Sequence, residues 1–220
     1  MTRVKICGMR DCDNAMVAAR AGADYLGFVF VEGVRRQLLV PQARAIIERF
    51  RHEWSHAGAG PGPRLVGLFR NQPLEWVSEV IEACCLDIAQ LNGEETQDYG
   101  KSLRVPVLRQ VRVKPSDTPE TVRVRALRAL DAGEIVLLDR DDPRVPGGGG
   151  VVFDWSAAEG VASLEKVLLA GGLTPSNVGA ALGRLSPWGV DISSGVETDG
   201  QKDPEKIRAF IRAVRVAPRG

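Results

Sequence analysis

The sequence predicts an α/β protein folded as a single (β/α)8 TIM barrel over residues 1–220. Three observations carry that prediction. Short β-favouring runs alternate with helical stretches eight times along the chain. No run of hairpins interrupts the alternation, so the strands are expected to lie parallel, joined by helical crossovers. Runs such as Tyr25-Leu-Gly-Phe-Val-Phe30 are nearly continuous in apolar residues, the mark of strands covered on both faces. Eight units favour a closed barrel over the competing doubly wound open sheet, and the chain is short for a barrel but within its range.

Each element has its own signal. Arg3–Cys7 is the first strand, ended by Gly8. Asp11 or Asp13 can cap a helix that runs to Ala21 and closes at Gly22. Tyr25–Phe30 is the second strand, and after a basic loop Pro41 opens a helix to about Phe50. The Gly/Pro stretch from His56 to Pro63 reads as a surface connector, with His52 and His56 as surface residues. Arg64–Phe69, Asp87–Leu91 and Val105–Val111 are strands three to five. Helices are expected between them, from Pro73 to about Ala83 and from Glu94 to about Leu103. Thr118-Pro119 starts the next helix, to about Ala132, and Glu134–Asp139 is strand six. A loop with four successive glycines, Gly147 to Gly150, reads as a mobile segment at the active edge before helix six begins near Trp155. Lys166–Ala170 is strand seven, Thr174-Pro175 caps helix seven, Gly189–Ser193 is strand eight, and Pro204 begins the last helix.

The totals exclude several classes of function. Lys and Arg number 29 against 28 Asp and Glu, which leaves no electrostatic case for nucleic acid or an anionic membrane. No apolar run approaches membrane-spanning length, and no apolar leader is visible at the N-terminus. Cys7, Cys12, Cys84 and Cys85 form no Cys-x-x-Cys pair, and only two histidines are present, so a zinc site is not expected. The adjacent Cys84-Cys85 reads as packing at a helix end. This cysteine usage suits a reducing, cytoplasmic setting.

In a barrel, chemistry sits at the carboxyl ends of the strands. Those ends hold Cys7, Asp139, Gly171-Gly172 and Asp191 with Ser193-Ser194-Gly195. Gly171 and Gly172 after strand seven, and Ser194 and Gly195 after strand eight, match the usual phosphate cradle of the fold. Cys7 can be a buried packing thiol or a reactive one. Strand alternation puts Arg3, Lys5 and Cys7 on one face, where the Lys5 ammonium would favour a thiolate. Asp139 directly follows an apolar run, so desolvation should raise its pKa and let it hold a proton. Arg36 offers a fork donor for a carboxylate or phosphate. Asp191 is open to two readings: an ion-pair partner of Lys5 or Arg3, or an acceptor from a substrate amine or hydroxyl.

Several motifs, taken together and in order, cover the whole chain. They are Val4-Lys-Ile-Cys-Gly8, Gly27-Phe-Val-Phe30, Gln90-Leu91 with Gly93-Glu94-Glu95, Leu137-Leu-Asp139, Phe153-Asp-Trp155, Gly171-Gly-Leu173 with Asn177-Val178, and Asp191-Ile-Ser-Ser-Gly-Val-Glu197. With them the sequence resembles the phosphoribosylanthranilate isomerases of tryptophan biosynthesis. The resemblance implies an Amadori rearrangement of a phosphosugar without metal or organic cofactor, and a monomer or homodimer is expected. It implies Cys7 as general base and Asp139 as general acid. It also implies Arg36 at the anthranilate end, Asp191 at the substrate amine, and Gly171, Gly172, Ser194 and Gly195 around the phosphate. The chain departs from the usual pattern at Asn92, where many members carry His, and at Gly33-Val-Arg-Arg-Gln37, which replaces a Ser-Pro-Arg loop and leaves Arg35 as a competitor to Arg36. A related phosphosugar barrel enzyme and a non-catalytic phosphometabolite-binding barrel are the alternatives. Cys7 at the end of strand one does not fit the carboxylate pair or the lysine/glutamate set that the related enzymes are expected to use.

Overall fold

The computed structural model describes residues 1–58, 60–140 and 154–217. The chain begins β1 (Arg3–Cys7), α1 (Cys12–Ala21), β2 (Tyr25–Val29), α2 (Val40–His56) and β3 (Arg64–Phe69). It continues α3 (Leu74–Ala83), β4 (Ile88–Leu91), α4 (Gln97–Ser102), β5 (Val107–Val113), α5 (Pro119–Asp131) and β6 (Ile135–Arg140). Then follow β7 (Val167–Leu169), α6 (Val178–Leu185), β8 (Gly189–Ile192), a short β9 (Glu197–Thr198), β10 (Gln201–Lys202) and α7 (Pro204–Val216). Strands β1 to β8 pair in sequence order and close into a barrel, while β9 and β10 form a separate two-stranded ribbon. The first and last barrel strands are parallel, with Lys5 opposite Asp191. Among the described residues no helix is long and apolar enough to cross a membrane.

Local chemistry explains most of the boundaries. The Asp11 carboxylate accepts from Asn14 N–H at 2.7 Å, so Asp11 and not Asp13 caps α1. Gly22 ends that helix with φ at 99°, a left-handed conformation that glycine adopts without penalty. Thr118 and Asp203 cap α5 and α7, each followed by proline as the first helical residue.

Strand β5 lies two residues later than the expected Val105–Val111 and α4 starts at Gln97 and not at Glu94, while three further helices differ more widely. Helix α2 runs on to His56, because no Gly or Pro interrupts the chain before Gly58 and Arg49 pairs with Glu53 one turn on, at 2.7 Å. Both histidines therefore lie on this helix, and both are exposed. Helix six is only a 3-10 turn, Trp155–Ala158, because Gly160 with φ at 69° breaks the right-handed run. Helix seven does not start at Thr174-Pro175. Asn177 instead folds those residues into a turn, its side chain accepting from Thr174 N–H at 2.7 Å and donating to the Gly172 carbonyl at 2.9 Å. The Gly147–Gly150 loop lies outside the described residues. The Cys84-Cys85 reading holds for Cys84, which is buried, but Cys85 is exposed.

Two apolar layers hold the barrel. Tyr25, Val66, Ile88, Leu108, Ile135, Leu137, Leu168 and Ala170 pack together inside it. Ile6, Leu26, Phe28 and Phe69 join Ala15, Ile47, Val77 and Phe210 in the layer between strands and helices. Burying each large side chain of this kind contributes about 1.5–3 kcal/mol.

The packing is close where β1 meets β2. A Cβ on Gly27 would lie 2.9 Å from Cys7 Sγ, 3.1 Å from Cys7 Cα and 3.3 Å from Lys5 Nζ. Gly27→Ala should therefore destabilise the fold by about 1–3 kcal/mol. Urea unfolding would check this, and an unchanged midpoint would show that the strand pair has slack.

Candidate active site

The parallel topology brings the predicted residues to one rim. Cys7 ends β1, Asp139 lies at the end of β6 and Asp191 within β8. Gly171 and Gly172 follow β7, Ser194 and Gly195 sit in the 3-10 turn after β8, and Arg36 is in the loop between β2 and α2.

Lys5 lies at the centre. Its side chain is wholly inaccessible, and its Nζ is 2.8 Å from Asp191 Oδ1. Burial works against the ammonium, but the charge of Asp191 and the neighbouring Cys7 more than offset it, so the Lys5 pKa is raised and the side chain stays charged. This decides between the two ion-pair partners open to Asp191. Arg3 pairs instead with Asp24, at 2.7 Å on the opposite end of the strand. Lys5 thus joins the thiol of β1 to the carboxylate of β8.

Asp139 is half-buried. Its Oδ2 accepts from Gln110 Nε2 at 2.9 Å, and its Oδ1 accepts from Arg140 N–H at 2.8 Å. Burial, reinforced by the charge of Asp191, pushes its pKa up to about 6 against those hydrogen bonds and Lys5. A carboxyl in this condition can hold a proton near neutral pH and release it.

The two glycine loops touch. A Cβ on Gly195 would lie 2.0 Å from the Leu173 carbonyl oxygen, so only glycine lets the loop after β8 pack on the loop after β7. Gly171 and Gly172 both have positive φ, at 83° and 69°. Asn177 braces the same loop through Gly172 and Thr174.

Arg36 lies over the start of the site. A Cβ on Gly8 would be 2.5 Å from Arg36 Cδ. Arg36 donates to both oxygens of Glu197, from Nε at 2.6 Å and from Nη2 at 2.8 Å. Its side chain is 11% exposed, against 53% for Arg35, so Arg36 is the arginine held at the mouth.

The chain belongs to the N-(5'-phosphoribosyl)anthranilate isomerase family. The family model described as N-(5'phosphoribosyl)anthranilate (PRA) isomerase matches residues 4–213. A curated N-(5'-phosphoribosyl)anthranilate isomerase of Roseiflexus castenholzii is 44% identical over 219 residues, covering 98% of this chain and 99% of its own. The phosphoribosylanthranilate isomerase structure from Thermotoga maritima is 31% identical, with a TM-score of 0.81 over 98% of this chain and 99% of its own. A further isomerase structure, in complex with reduced 1-(o-carboxyphenylamino)-1-deoxyribulose 5-phosphate, is 30% identical with a TM-score of 0.78 over the same shares.

Sequence reasoning missed Gln110 and Lys202, and it gave no role to Asn177 and Glu197, which entered only as members of motifs; all four shape this rim. Gln110 carried no local signal, since its contact with Asp139 is made across neighbouring strands. Glu197 and Lys202 flank Asp199-Gly200, a dipeptide that marks a tight hairpin when it joins two short runs. Both turn residues have positive φ, at 50° and 76°.

The raised pKa of Asp139 has a consequence for stability. Its folded value of about 6 exceeds the ordinary 3.8, so the native state binds more protons between those values. Its contribution is therefore fully present below about pH 4 and is lost as the pH rises through about 6. Asp139→Asn should lack this loss, gaining on the wild type by on the order of 2 kcal/mol between pH 4.5 and 7.5. Urea unfolding at the two pH values would reveal it, and parallel curves for the two proteins would refute it.

Proposed function

We infer that this chain catalyses the Amadori rearrangement of N-(5-phosphoribosyl)anthranilate to 1-(2-carboxyphenylamino)-1-deoxyribulose 5-phosphate, a step of tryptophan biosynthesis. Family membership supports the reaction. The observation that carries the residue roles is the Cys7–Lys5–Asp191 cluster beside an Asp139 whose pKa is raised to about 6. The reaction moves a proton between adjacent carbons, so it needs one acid and one base on one substrate.

In this reading Asp139 gives its proton to the ribose ring oxygen. The bond between that oxygen and C1 breaks while the anilino nitrogen forms a double bond to C1, giving a protonated Schiff base. The Cys7 thiolate removes the proton from C2, and the electron pair of that C–H bond forms the C1–C2 double bond of an enolamine. The Cys7 thiol then gives its proton to C1 and the Asp139 carboxylate takes the proton from O2, which yields the ketone and restores both groups. Atoms and charge balance over the sequence, as an isomerisation requires. Lys5 places its ammonium beside Cys7. Asp191, held by Lys5 through one oxygen, takes the substrate amine. Gly171, Gly172, Ser194 and Gly195 receive the phosphate at the two touching loops. Arg36 takes the anthranilate carboxylate as a fork donor.

Two measurements test the roles. Cys7→Ser and Asp139→Asn should each lower turnover of freshly generated phosphoribosylanthranilate by about 10²–10⁴-fold, followed by decay of its fluorescence. Undiminished turnover in either variant would remove that residue from the acid/base pair. No turnover by the wild type would favour the non-catalytic binding barrel. Arg36→Ala should raise KM by about tenfold or more, and Arg35→Ala by much less, because only the former is held at the mouth. Steady-state kinetics on both variants decides between the two arginines, and the reverse order would reassign the role to Arg35.

A further inference from the structure

The ribbon of β9 and β10 has no place in the acid/base chemistry, yet it carries a dense charge cluster at the rim. Glu197 Oε1 accepts from Arg36 Nε at 2.6 Å and from Lys202 Nζ at 2.8 Å. Its Oε2 accepts from Arg36 Nη2 at 2.8 Å and from Arg35 Nη2 at 2.5 Å. Three cations thus share one carboxylate. Burial works to raise the Glu197 carboxyl, but the hydrogen bonds from Arg36 and Lys202 override it and hold its pKa at about 2. The carboxylate is therefore charged near neutral pH.

Lys202 fastens this cluster to the barrel. It is buried, and besides Glu197 its Nζ donates to the Ser193 carbonyl at 2.9 Å. Ser193 Oγ in turn donates to the Cys7 carbonyl at 3.1 Å. Glu197 and Lys202 are opposite each other in the ribbon, so the hairpin sets their separation. The ribbon is thereby tied to the ends of β8 and β1, and through Glu197 it reaches across to the loop after β2.

The way Arg36 is gripped matters. Glu197 takes the Nε and Nη2 side of the guanidinium, and none of these bonds uses Nη1. A guanidinium held from that side still offers a second fork, one N–H from Nη1 and one from Nη2, to another planar anion. The stem is fixed as well, since Arg36 Cδ lies against Gly8. Three cations against one carboxylate leave the cluster net positive, which suits a second carboxylate.

We propose that Glu197, seated on Lys202, is a positioning residue that aims the free fork of Arg36 at the carboxylate of the substrate. The proposal rests on the isomerase reading above and adds to it the residue that sets the specificity for a carboxylated aryl amine. Glu197 touches no reacting atom. It acts by removing the rotational freedom that Arg36 would otherwise lose on binding.

Two ligands separate this from a general structural role: the adducts of ribose 5-phosphate made by reductive amination with anthranilate and with aniline. They share the phosphosugar and differ in the carboxylate. Calorimetry on Glu197→Gln should show binding of the carboxylated adduct weakened about tenfold, and that of the aniline adduct changed less than about twofold. KM for phosphoribosylanthranilate should rise by a similar factor with kcat nearly unchanged. In an Arg36→Ala background, Glu197→Gln should weaken the carboxylated adduct no further. Glu197→Asp, which keeps the charge at shorter reach, should show a smaller loss confined to the carboxylated adduct, and it serves as the test if the Gln variant does not fold. Equal losses for the two adducts, no loss for either, or losses that add in the double variant overturn the proposal. Failure of the wild type to turn over phosphoribosylanthranilate would instead overturn the isomerase reading.

Discussion

The ion pair between Lys5 and Asp191 sits where the barrel closes. It joins the first strand to the last, and its two residues face each other in the register that seals the seam. Both side chains are buried, Lys5 completely, so its ammonium has no water as an alternative partner. Removing one member of such a pair leaves an unpaired buried charge and costs about 3–5 kcal/mol. That makes the pair expensive to alter, and its position makes it useful. It puts an ammonium beside Cys7 and a carboxylate charge near Asp139, so the same contact that closes the fold sets the electrostatics of the rim.

Around that pair, close approach by glycine replaces side-chain packing. Gly27 leaves room for the Cys7 thiol, Gly8 for the Arg36 stem and Gly195 for the Leu173 carbonyl. At each of these positions a methyl group would strike an atom of the site or its support. The rim is therefore dense in functional groups because small residues beneath them give up volume. Hydrogen bonds then orient what the glycines admit: Gln110 on Asp139, Asn177 on the loop after β7, and Glu197 on Arg36.

The barrel strands were legible from the chain because parallel strands buried on both faces are continuous apolar runs, and Cys7, Asp139 and Asp191 were legible because each ends or nearly ends such a run. The errors fell where a local signal competed with a side chain. Thr174-Pro175 has the composition of a helix start, but Asn177 offers its carbonyl and amide to the same backbone and holds it as a turn. Helix six failed at Gly160, whose left-handed backbone no helical periodicity anticipates. The choice between Arg35 and Arg36 could not be made from neighbouring positions of equal charge. The structure separates them in space: the Arg36 stem lies against Gly8, 28 positions away, and the Arg35 guanidinium against Gly200.

What the sequence determined by itself was the order of strands and helices, the residues at the strand ends and, through its motifs, the family. These follow from periodicity, caps and turn residues, which act over a few positions. What only the tertiary structure decided was which groups meet: Lys5 with Asp191, Gln110 with Asp139, and Glu197 with Arg36 and Lys202. The Lys5–Asp191 contact spans 186 positions and that of Arg36 with Glu197 spans 161. Coulombic and hydrogen-bonding energies depend on distance in space, and closure of the barrel is what converts those separations in sequence into contacts of less than 3 Å.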